Sequence, residues 1–161
     1  MKRWIVCLLC LLLLASCAKQ PQQLVIAGEE SETVTLEAAR EITADDTLDE
    51  AQITCTVKTR DGKVNGFEMR MPRTAQLHAL FASEEHMYFG VVTCGSRRLS
   101  VPMEMVRILT DETTHEFVIT LLLAGGDTVS GGACTVAFYV ANRDGDPSQA
   151  LFCAQKTVTT A

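Results

Sequence analysis

"AQITCTVKT", residues 51–59, alternates strictly: Ile53, Cys55 and Val57 fall on one side while Thr54, Thr56 and Lys58 fall on the other. A period of two is the signature of a half-buried β-strand, because successive side chains of a pleated backbone point to opposite faces. Asp61-Gly62 follows, a pair suited to the left-handed backbone of a two-residue hairpin turn. The chain then returns through "KVNGFEMRM", residues 63–71, with Phe67, Met69 and Met71 on one side and Glu68 and Arg70 on the other. The stretch therefore reads as a β-hairpin with one apolar face.

The same grammar continues along the chain. "HMYFGVVTC" (86–94) and "RRLSVPMEMV" (97–106) flank Gly95-Ser96, and "EFVITLLLA" (116–124) is apolar enough for a central strand, ending at Gly125-Gly126. "ACTVAFYVAN" (133–142) and "QALFCAQKTVT" (149–159) flank the turn cluster "RDGDPS" (143–148). Upstream, "TVTLEAA" (33–39) reads as a further strand before a polar acidic loop around Asp45, Asp46, Asp49 and Glu50. Only "TAQLHALFASEEH" (74–86) has room for a turn or two of helix. About eight short strands separated by turn signals predict an all-β fold, a sandwich or a barrel.

The final hairpin, residues 134–159, resembles the last two strands of immunoglobulin-like and fibronectin-type domains, with Cys55 about 80 residues before Cys134 on a candidate early strand. The resemblance implies an antiparallel, Ig-like β-sandwich. The core tryptophan of those domains has no counterpart, since Trp4 is the only tryptophan, and Gly132 stands where a tyrosine would precede Cys134. The likeness is one of architecture.

The N-terminus carries a different signal. Lys2 and Arg3 precede an apolar run from Trp4 to Ala15, and the small residues Ala15 and Ser16 precede Cys17. The run is shorter than the roughly 20 residues that cross a bilayer. Leu14-Ala15-Ser16-Cys17 resembles the lipobox of bacterial lipoproteins. That resemblance implies lipidation of the Cys17 thiol and removal of residues 1–16 as a signal peptide. Residues 17–30 then form the lipidated cysteine and its tether, and residues 31–161 form the β-sandwich domain. It further implies an extracytoplasmic protein held on the cell membrane by its N-terminal lipid, with Ala18 matching the pattern for an outer membrane where two membranes exist. Each buried methylene of such a lipid adds about 0.8 kcal/mol.

Removing Lys2 and Arg3 with the leader leaves 12 basic against 20 acidic residues, a net charge of −8. That balance argues against nucleic acid as a partner. Of seven cysteines, Cys7 and Cys10 leave with the leader and Cys17 is acylated, so Cys55, Cys94, Cys134 and Cys153 remain. Four cysteines in an exported domain suit two disulfides in one of three pairings, beside the reading of four buried thiols. None of these four forms a CxxC pair, which argues against a zinc cage or a thioredoxin-like redox site. Strand parity turns Cys55 and Cys134 inward, and a turn centred near Gly145 would set Cys153 opposite Phe138 and Cys134 opposite Thr157. With the early and penultimate strands facing each other as the Ig-like resemblance implies, the pairing expected is Cys55 with Cys134, leaving Cys94 with Cys153.

Candidate chemistry is sparse. Met69, Met71, Met103 and Met105 form two MxM pairs of the kind that bind copper, but Phe67 and Val101 share their faces, so core filling is expected. His78, His86 and His115 lack any metal-ligand spacing. Asn142, Asp144 and Asp146 match the first ligands of a calcium loop, yet Pro147 and Cys153 occupy positions that need glycine and glutamate. Ser130 sits by glycines, but Thr128 replaces the first glycine of a nucleophile elbow. The carboxylate pairs Asp45-Asp46 and Glu84-Glu85 are chain neighbours that diverge on a strand. The expectation is a protein with no catalytic residues, metal site or cofactor, and so not an enzyme. It reads as an interaction or structural module of the cell envelope that contacts another envelope protein or a ligand. The alternative is a periplasmic carrier of a small molecule or of copper.

Overall fold

A computed structural model of the chain describes residues 42–124, 129 and 131–160. The leader, Cys17, the tether, the strand expected at 33–39, Gly125-Gly126, Thr128 and Ser130 lie outside the described residues. All described residues fall in one compact unit.

Nine strands are described: β1 (Thr43–Thr47), β2 (Thr54–Arg60), β3 (Lys63–Pro72), β4 (His86–Cys94), β5 (Arg97–Val101), β6 (Val106–Asp111), β7 (Glu116–Leu122), β8 (Gly132–Asn142) and β9 (Gln149–Thr160). One helix, α1 (Ala75–Ala82), lies between β3 and β4. The strands form a five-stranded sheet in the order β1-β9-β8-β4-β5 and a four-stranded sheet in the order β2-β3-β7-β6. This is an all-β sandwich. Counting β2 as the first strand, β2-β3-β7-β6 facing β9-β8-β4 is the strand order of immunoglobulin-type sandwiches. Every pairing is antiparallel except that of β1 with β9.

The β2–β3 hairpin forms as its sequence predicts. Asp61 and Gly62 both have positive φ, 53° and 73°, which matches the right-handed twist of the flanking strands. Cys55 then faces Met69, and Val57 faces Phe67. Phe67, Met69 and Met71 are fully buried between the sheets with Ile119, Leu121, Val136, Phe138 and Phe152. Gly66 is required where β3 meets β7, because a Cβ there would lie 2.5 Å from the backbone oxygen of Leu121.

Several expectations are corrected. Asp45 and Asp46 lie on β1, not in a loop. Pro102, which lacks a backbone N–H, follows directly on the end of β5, and Met103–Met105 make a 3-10 turn, not a strand. The chain thereby crosses to the other sheet and forms β6. Met103 is 37 % exposed and not core, while Met105 packs partly against the core.

The cysteine pairing also differs. Cys94 and Cys134 stand directly opposite on β4 and β8, with Cα atoms 4.4 Å apart, and form the disulfide. Cys55 and Cys153 are free thiols. The expected Cys94–Cys153 bond fails because β8 lies between β4 and β9, and the expected Cys55–Cys134 bond fails because Cys134 is taken by Cys94 on the neighbouring strand. The β8–β9 turn sets Cys153 opposite Tyr139 and Cys134 opposite Val158, one residue from the expected alignment. Cys153 therefore joins Phe89, Val91 and Tyr139 on the outward face of its sheet, whereas Cys94 faces inward. The bridge lies within one sheet and does not span two.

Candidate functional site

Helix α1 borders two open clefts in the surface. Thr74 caps it, its Oγ1 accepting from the Leu77 N–H at 3.2 Å. The helix is pinned over one end of the sandwich by Phe81, whose ring meets Phe117, Phe138 and Tyr88 edge-on with centroids 4.7, 5.9 and 6.0 Å away. Tyr88 donates its hydroxyl to the Phe81 carbonyl at 2.9 Å. His86 Nδ1 lies 2.8 Å from the Leu80 carbonyl, so this histidine has a structural partner. Gln76 donates to Asp46 at 2.8 Å, tying the helix to β1.

Between α1 and β6 this arrangement leaves an open groove of about 390 Å³, with Phe81, Tyr88, Phe117, Met103, Val106 and Ile108 along it. It is mainly apolar and falls in the size range of ligand sites, roughly 300–1,000 Å³. Its apolar lining follows from parity, since Val106 and Ile108 point to this side of β6 while Arg107 and Leu109 point to the other. A second cleft of about 480 Å³ adjoins it, lined by Arg73, Thr74, Ala75, His78 and His115, and the two share His78. His78 and His115 are 37 positions apart in sequence, so no spacing rule pairs them. Arg73 is engaged by Glu112, with both carboxylate oxygens at 3.0 Å.

The outward face of the four-stranded sheet carries a charge network instead. Arg70 donates to Glu68 at 3.2 Å, to Asp111 at 3.1 Å and to Glu116 at 3.4 Å, and Lys58 reaches Glu68 at 2.6 Å. The Arg70 hydrogen bond, then the Thr114 and Thr113 N–H groups, hold the Asp111 carboxyl below its ordinary range. The Lys58 hydrogen bond does the same for Glu68.

The free thiols are poor nucleophiles. Burial pushes Cys55 and Cys153 each up to about 11, so both are protonated at neutral pH. Burial, followed by the neighbouring Cys153, raises Tyr139 to about 12. Met69 and Met71 are sealed in the core. Asp146 accepts from the Ser148 N–H at 2.9 Å and Gly145 N–H donates to the Asn142 carbonyl, so the acidic cluster is occupied as a hairpin turn. Among the described residues no group of three or more His, Cys, Asp or Glu side chains is placed to hold a metal. No family model, no curated protein and no solved structure matches the chain.

Proposed function

We propose that the protein is a lipid-anchored, extracytoplasmic interaction module of the cell envelope that works by binding and not by catalysis. The observation that carries the binding half is the open apolar groove between α1 and β6, on a domain whose free thiols are half-buried and whose core methionines are buried. The anchor half rests on Lys2, Arg3, the apolar run and Cys17, and on a Cys94–Cys134 bond suited to an oxidising compartment. In this reading Cys17 holds the domain on the cell membrane, the outer one where the envelope has two, and its partner is another envelope protein or ligand.

The same groove supports a second reading, a small-molecule carrier, because its volume suits an apolar ligand. A charge placed in the groove tests the binding role. Met103→Glu in the full chain, at an exposed position of the groove wall, should abolish partner cross-linking in the envelope while leaving thermal unfolding close to wild type. Unchanged cross-linking would count against the groove.

A further inference from the structure

We propose that β6 is the edge through which two copies of this chain pair, deepening the interaction-module reading on which it rests. Four strands end the two sheets, and three of them are guarded. β1 carries Asp45 and Asp46, β5 carries Arg97 and Arg98, and β2 carries Lys58 and Arg60 with a register shift between Lys58 and Thr59. Charges and bulges of this kind keep sheet edges from pairing. β6, with the sequence VRILTD, also carries two charges, Arg107 and Asp111, but they are of opposite sign where each of the other three edges carries charges of one sign, and it has no described strand on its free side. The two exposed large apolar residues among the described ones are both here: Leu109 on β6, 64 % exposed, and Met103 just before it, 37 % exposed.

The sequence of β6 is complementary to itself in one register. Antiparallel pairing about a two-fold axis through Leu109 sets Leu109 against the second copy's Leu109. It also sets Arg107 against the second copy's Asp111, twice, by symmetry. All three residues lie on the outward face, consistent with the pairing of Arg107 with Thr120, Leu109 with Val118 and Asp111 with Glu116 on β7. Directly opposed residues of an antiparallel pair share a face, so opposite charges and apolar side chains there attract. Asp111 accepts from Arg70 at 3.1 Å on Oδ2 and from the Thr113 and Thr114 N–H groups at 3.0 and 3.2 Å on Oδ1, so a lone pair on Oδ2 is left for a second guanidinium. Two four-stranded sheets would become one of eight strands, and the more exposed of the two exposed large apolar side chains among the described residues would be covered.

The test is disulfide trapping in membranes from cells carrying the full chain. Leu109→Cys should give a covalent dimer under mild oxidation, because the two thiols meet at the axis. Thr110→Cys should give none, since that residue opposes Ile108 on the groove face. Adding Arg107→Asp to Leu109→Cys puts like charges opposite each other and should remove the dimer. No dimer from Leu109→Cys, or equal yields from both single variants, would overturn the proposal. Capture of a different protein by Leu109→Cys would also overturn it, while leaving an interaction role at this edge in place.

Discussion

Cys94 and Cys134 face each other across neighbouring strands of one sheet, their Cα atoms 4.4 Å apart, and the bond joins strand ends 40 residues apart in sequence. Closing a loop of that length restricts the unfolded chain and stabilises the fold by about 4 kcal/mol in the chain-entropy model. The double variant Cys94→Ala, Cys134→Ala should lose up to that amount in denaturant unfolding. Peptide mapping without reduction should yield one linked pair, Cys94–Cys134. A fragment linking Cys55 or Cys153 would refute the assignment.

The two methionine pairs should behave differently. Met71 is sealed between the sheets, so Met71→Ala should cost about 2–5 kcal/mol as large core truncations do. Met103 lies on an exposed 3-10 turn, and Met103→Ala should stay within about 0.5 kcal/mol of wild type. Equal losses in chemical denaturation would contradict this placement.

Gly66 supplies a backbone test. A methyl at that position meets the Leu121 carbonyl oxygen, which belongs to the ladder and cannot swing aside as a side chain would. Gly66→Ala should therefore destabilise by about 1–3 kcal/mol, the usual cost of overpacking. A neutral effect on the unfolding midpoint would show that β3 and β7 are further apart than described here.

Acid should weaken the fold through the Arg70 network. Asp111 and Glu68 have folded-state values depressed below their ordinary ones. A depressed carboxylate contributes stability above its unfolded value and loses it as pH falls through the folded one. Melting temperature should drop between the ordinary carboxylate range, about 4, and lower pH. Arg70→Met should flatten that part of the profile; an unchanged slope would mean the network contributes nothing to acid sensitivity.

Legibility in the sequence tracked how local the deciding interaction is. The β2–β3 hairpin was readable because Asp61-Gly62 and two alternating runs sit within 21 residues of each other, and β8 and β9 were readable for the same reason. β1 was not, since TADDT has no apolar alternation and is held by parallel pairing with β9, from Thr43 opposite Gln149 to Thr47 opposite Cys153. β6 was hidden by the run through Pro102, which looked like one continuous strand. The disulfide was not legible because it depends on β4 pairing with β8, whose cysteines are 40 residues apart in sequence, and no local signal sets that register; the one-residue difference in the β8–β9 turn only moves Cys153 to the other face. His78 and His115 share a cleft only because α1 packs beside the β6–β7 turn.

The measurement that bears most directly on the account is the mass of the N-terminal peptide of the full chain recovered from membranes. The account predicts a chain beginning at Cys17 and carrying acyl groups on that residue, with Cys17→Ser leaving an unprocessed, unacylated precursor. An unmodified Cys17, or normal processing and membrane retention of Cys17→Ser, would contradict it.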